Sequence, residues 1–341
     1  MSQVVIENPI INSPFEEPTR HFKFDDEGIT NEQVEGRRIS SYFVPIARPR
    51  KSKGGAKQEV FDTEWTQDRI EENKLVNDIR RRVSQWRTGG YVGVTPTTAR
   101  LIAYWTDPSR EKKLFFCQNE ALETAIYITE VAKKYGDAWI ENTLREANDG
   151  SNPGLPRMAF KMATGSGKTV VMAMLIAWHT LNKQANPQDI RFSDTFLIVT
   201  PGITIRDRLR VLLPNDSENY YRQRDIVPSH MLEQLGLARI LITNFHAFQQ
   251  RETIAANKVT KSMLGNGQPG LFTETPDQMV RRVCRELGGK KNIVVLNDEA
   301  HHCYRRKPDA EPEALTGDDR VEAKTREEEA RIWISGLEAV I

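Results

Sequence analysis

Met162-Ala163-Thr164-Gly165-Ser166-Gly167-Lys168-Thr169 set two glycines, a lysine and a hydroxyl just ahead of a long apolar run, residues 170–178. Those types in that order suit an anion carrying several phosphates. Gly165 and Gly167 let the backbone curl so that successive N–H groups face one concavity. A helix starting there adds its unpaired N–H groups and its positive dipole end. Thr164 and Ser166 complete the loop, Lys168 would reach the outer phosphates, and Thr169 would place its hydroxyl on a magnesium ion. The usual spacing asks for a glycine where Met162 stands, and a plain glycine turn before a buried helix is the competing reading.

A second group of residues answers the first. The apolar, β-branched run 292–297 ends at Asp298-Glu299-Ala300-His301. Adjacent carboxylates at the end of a buried strand are costly unless they are used. Beside a phosphate loop, Asp298 would hold magnesium and Glu299 would prepare the attacking water. Without that partner the pair would be a solvated acidic turn.

Positioning these groups requires strands that end where helices begin. Strands are expected at 158–162, 195–200, 239–243 and 293–298, with helices at 168–181, 203–213 and 276–287 between them. A further helix is expected at 118–134, followed by a polar loop, 148–156. Such alternation implies a parallel sheet covered by helices on both faces, with ligands at the carboxyl ends of the strands. Helix 168–181 is apolar nearly all round, as a helix buried against a sheet should be. Upstream, Val76, Ile79, Val83 and Trp86 fall at helical 3–4–3 spacing, and a short helix is expected over 97–105. The division read from this pattern is an irregular segment at 1–60, a helical add-on at 61–110 and an α/β lobe at 111–341. Arg48 to Gly55 reads as a basic linker. Residues 251–275 read as a long loop, and the charge-dense 305–331 leads into a helix with Trp333, Leu337 and Val340 on its apolar side.

Composition limits the partners. The 48 basic and 47 acidic residues leave a formal charge of +1, so any nucleic-acid footprint must be local. Three cysteines, Cys117, Cys284 and Cys303, are widely separated and form no metal pair, which suits a reducing cytoplasm. His301-His302-Cys303 lacks a second ligand cluster at zinc spacing. The longest apolar run, nine residues, is too short to span a bilayer. A soluble, cytoplasmic protein with no membrane partner is expected.

With both acidic box and loop in view, the chain resembles a superfamily-two helicase of the DEAH-box type, most closely the motor (Res) subunit of type III restriction enzymes. Further segments carry the likeness. Phe115-Phe116-Cys117-Gln118-Asn119-Glu120-Ala121 precedes the loop where the family has an adenine-reading glutamine, which the resemblance assigns to Gln118. Thr200-Pro201-Gly202 with Arg206, and Thr243-Asn244-Phe245-His246, resemble strand-contacting motifs. Their hydroxyl, amide, imidazole and guanidinium groups suit sugar–phosphate contacts that fix position without choosing sequence. Helix capping by Thr243 or Asn244 is the competing reading.

The resemblance implies a RecA-like lobe using ATP and Mg²⁺, DNA as the track (RNA not excluded), and His301 coupling nucleotide state to the nucleic acid. It also implies a second lobe that supplies an arginine, a possible nuclease domain, and possibly a modification (methyltransferase) subunit. No second lobe and no Ser-Ala-Thr motif is recognisable, so the sequence reads as the amino-terminal part of a longer polypeptide that turns ATP over very slowly alone. The rival reading is a truncated nucleotide- or DNA-binding assembly module without motor activity. A small-molecule kinase has no place for the acidic box with its histidine or for the Thr200-Pro201 segment.

Overall fold

The computed structural model describes residues 8–25, 28–43, 70–150, 154–155, 157–251, 273–290, 292–300 and 318–340. They fall into two compact units, Met1–Val94 with Lys113–Ile140, and Thr95–Lys112 with Glu141–Ile341.

In the first unit β1 (Arg20–Asp25) and β2 (Gly28–Glu35) form an antiparallel hairpin, and β3 (Ser41–Phe43) pairs with β4 (Ile70–Glu72). Helix Lys74–Thr88 starts where the Asn73 side chain accepts the Val76 N–H, and it buries Ile79, Val83 and Trp86, the face its spacing predicts. Helix Phe116–Ile126 continues into a π turn, Tyr127–Val131. Ion pairs tie these pieces together: Arg37 clasps Glu120 through both terminal nitrogens, and Arg87 binds Glu123.

The second unit holds the sheet. Its strands are β5 (Thr195–Thr200), β6 (Arg239–Asn244) and β7 (Val294–Asn297), parallel, in the order β6-β5-β7. All six residues of β5 are buried, so both faces are covered, as parallel strands require. On one face Leu197 and Val199 pack with Phe245, Phe248, Trp333 and Leu337, the last two from the terminal helix Asp318–Val340. On the other, Phe196 meets the His179 ring of the loop helix Lys168–Ala185. That helix buries residues around most of its circumference, Val170 to Met174 and Ile176 to Trp178 among them.

Two expectations differ from the structure. Residues 158–162 join no sheet: Met158 is exposed, and the segment runs into the loop without ladder bonds among the described residues. Five residues broken by Lys161 offer few ladder bonds, and none of the described strands pairs with them. The units also cut across 61–110. Helix Pro96–Trp105 belongs with the sheet because Thr98 accepts from both Trp178 and Asn182 of the loop helix, while the Trp105 indole donates to Ile226. The expected loop 251–275 and basic linker 48–55 lie outside the described residues except Arg251 and 273–275.

His179 reports on this packing. Part of the residue remains accessible, yet its Nδ1 is buried with no hydrogen-bond partner among the described residues. Burial pushes its pKa down to about 4. The folded form therefore prefers the neutral ring, while the unfolded chain takes a proton near pH 6.5. The contribution of this histidine is fully present above that pH and is lost as pH drops from about 6.5 towards 4, by up to about 3 kcal/mol. Urea midpoints across this range should fall more steeply for the wild type than for His179→Phe. Parallel curves would contradict a neutral His179.

Candidate functional site

The loop adopts the backbone its glycines permit. Gly165 and Gly167 have φ of +80° and +82°, left-handed values that cost other residues strain. Ser166 ties the turn to itself, its N–H and Oγ both reaching the Ala163 carbonyl, at 3.3 and 2.6 Å. Gly167 caps the loop helix, and its carbonyl accepts from Val170 and Val171. Lys168 and Thr169 thus occupy the first helical positions, partly exposed, where N–H groups have no carbonyl a turn earlier to bond. Thr164 stands exposed in the turn before them.

The sheet brings the acidic pair to the same place. β7 runs beside β5 with Asn297 opposite Val199, and the Asp298 N–H donates to the Val199 carbonyl at 3.0 Å. The chain then turns sharply: Glu299 has a φ of +53°, uncommon for a residue with a side chain. Its carboxylate lies 3.4 Å from Lys168 Nζ, with both side chains about one-third exposed. The Asp298 carboxyl sits above its ordinary pKa, first because it is partly buried and second because the Glu299 carboxylate is adjacent, while the Glu299 backbone N–H and then Lys168 offset part of the shift. One lysine near two carboxylates leaves net negative charge at a partly buried turn. Carboxylate and hydroxyl oxygens are what a hard cation such as Mg²⁺ prefers, so these residues fit it.

The strand ends also align. Register sets Val199 against Thr243 and Thr200 against Asn244. Thr200 is buried, and its hydroxyl donates to the Gly202 carbonyl, with a longer contact to that of Thr243. The Asn244 side chain accepts the Ala247 N–H and caps the short turn Phe245–Phe248. Thr243 directs its hydroxyl to the Asn244 carbonyl. Arg206 is exposed beside Asp207 at 3.3 Å, Pro201 is partly exposed, and His246 is exposed with its ring against Phe245. Of these groups, Arg206 and His246 present side chains to solvent, while Thr200 and Asn244 shape the backbone.

One link was not foreseen. Trp333 of the terminal helix is fully buried, stacks on Phe245 with ring centroids 5.0 Å apart, and donates its indole N–H to Asn297 Oδ1 at 3.2 Å. It joins the residue before Asp298 to the residue after Asn244. In the sequence Trp333 is visible only as part of an apolar face.

Gln118 lies in the first unit, 5 % exposed, with Oε1 accepting the Phe115 N–H at the start of its own helix. His301 lies outside the described residues. Among the described residues no three His, Cys, Asp or Glu side chains come together to hold a metal, and no helix is long and apolar enough to cross a membrane.

Parallel strands with reactive groups gathered past their carboxyl ends define an α/β ligand-binding domain. Residues 111–318 match the family described as type III restriction enzyme, res subunit, and the chain belongs to that family of helicase-type, ATP-dependent motors. No curated protein and no solved structure matches it.

Proposed function

We propose that this chain is the ATP-binding lobe of a helicase or translocase from a restriction or defence system, coupling ATP hydrolysis to movement on DNA. The observation supporting it is the approach of Lys168 to Glu299 with Asp298 alongside. Gly165, Ser166, Gly167 and the first N–H groups of the loop helix cradle the phosphates, and Lys168 leaves Glu299 to meet them. Thr169 and Asp298 would hold Mg²⁺, which when bound would neutralise charge on the phosphates. Glu299, released from the lysine, orients and deprotonates the attacking water. Gln118 is assigned to adenine and His301 to coupling on family likeness alone.

DNA contact falls to Arg206 and His246, with Thr200, Pro201, Thr243 and Asn244 holding the strand ends that present them. Such contacts are to phosphates and are salt-dependent. Duplex binding by the chain should change when ATP and Mg²⁺ are added, by several-fold in Kd. Identical DNA affinity with and without nucleotide would contradict the motor reading and favour a passive assembly module.

A further inference from the structure

The first unit contains a cavity of about 300 Å³ whose wall carries more positive charge than its own carboxylates balance. Arg37, Arg38, Arg80, Ser84 and two carboxylates, Glu17 and Glu72, are among its lining residues, and Glu72 accepts from the Asn77 amide. Internal pairing uses up part of this charge. Arg37 is held by Glu120 and also reaches Glu17, which additionally meets Arg87 at 3.3 Å. Arg81, also on the wall, is taken by Asp78.

Two guanidinium groups remain. Arg38 lies over the Phe24 ring, 4.0 Å from its centroid, and has no carboxylate partner among the described residues. Arg80 projects from helix Lys74–Thr88 and makes neither ion pair nor hydrogen bond among the described residues. Burial lowers its pKa and the neighbouring Arg37 guanidinium lowers it further, while the Glu120 and Glu17 carboxylates offset only part of this. A partly desolvated, unpaired cation beside another cation is expensive, and the cost is recovered when an anion arrives. Guanidinium forks match tetrahedral oxyanions in geometry as well as charge.

We propose that this cavity binds one phosphate group, held by Arg80 and Arg38 with the Ser84 hydroxyl at its side. It is a second anion site, independent of the glycine loop. A phosphodiester of a polynucleotide and a free phosphate ester share this chemistry, and the test separates them.

Inorganic phosphate is titrated calorimetrically into the full chain carrying Lys168→Ala, which silences the loop. One site is expected to remain, weakened at least tenfold by adding Arg80→Gln and weakened in the same direction by Arg38→Gln. Arg80→Gln should leave the thermal midpoint without ligand unchanged or higher, because it removes an unpaired charge, which a merely structural arginine would not do. A short DNA duplex then identifies the source. Weaker binding of Arg80→Gln, with a log–log salt slope shallower by about one, assigns the group to a nucleic-acid backbone. Unchanged DNA affinity alongside lost phosphate binding assigns it to a free ester. No phosphate binding in the Lys168→Ala chain, or equal binding after Arg80→Gln, overturns the proposal.

Discussion

Trp333→Ala is expected to destabilise the unit that holds the sheet by about 3–5 kcal/mol, the range for emptying a buried aromatic site. Three losses coincide there. A fully buried ring disappears from the cluster of Leu197, Val199, Phe248 and Leu337. The near-parallel stack on Phe245, with ring planes 1° apart, is broken. Asn297 also loses the indole N–H it accepts beside the acidic turn. The helix cannot slide to refill the space, because Gly336 one turn further on sits so close to Phe248 that an added methyl group would collide with its ring. Trp333→Phe keeps most of the apolar contact but removes the donor, so its urea midpoint should fall much less. A wild-type midpoint for Trp333→Ala would mean that the terminal helix is not seated on the sheet.

Glu299→Gln is expected to abolish ATP turnover, by at least about 10²-fold, while leaving nucleotide affinity equal or slightly higher. The loss follows if Glu299 is the group that prepares the water. The retained affinity follows from the ion pair. Without nucleotide the Glu299 carboxylate holds Lys168 at 3.4 Å, and phosphate must displace it. A pair this exposed contributes at most about 1 kcal/mol, so removing the competitor tightens binding by no more than about five-fold. Steady-state ATP turnover, alongside direct nucleotide binding to the variant, separates the two effects. A large loss of affinity with turnover per bound ATP preserved would show that Glu299 holds nucleotide rather than activating water.

The parts of the fold legible from sequence were those where burial and chemistry coincide. β5 is apolar because both its faces are covered, and the three strand ends announce themselves through Thr200, Asn244 and Asp298. The loop helix is legible for the same reason. Residues 158–162 show the limit: apolar character marks a segment that can be buried, but a strand also needs a neighbour at ladder distance. Helix Ala138–Asp149 escaped because its apolar side is short, Trp139, Ile140 and Leu144, with Ile140 alone fully buried. Hairpin β1–β2 escaped because most of β2 is exposed, so no alternation appears. Trp333 meeting Asn297 depends on how the terminal helix docks, and neither residue carries a local sign of the other. Within the site, glycine spacing located the loop, whereas the left-handed backbone of Glu299 had no signature in residue type.

Lys168 and the Asp298–Glu299 turn are proposed to form one nucleotide–magnesium site. Equilibrium binding of ATP, with and without Mg²⁺, to the wild type and to Lys168→Ala tests it most directly. A charge-assisted contact of this kind contributes about 1.5–3 kcal/mol, so affinity should fall by roughly 10- to 150-fold in the variant at unchanged thermal stability. Wild-type binding should weaken when Mg²⁺ is withdrawn. Equal ATP affinity in the two proteins would contradict the account.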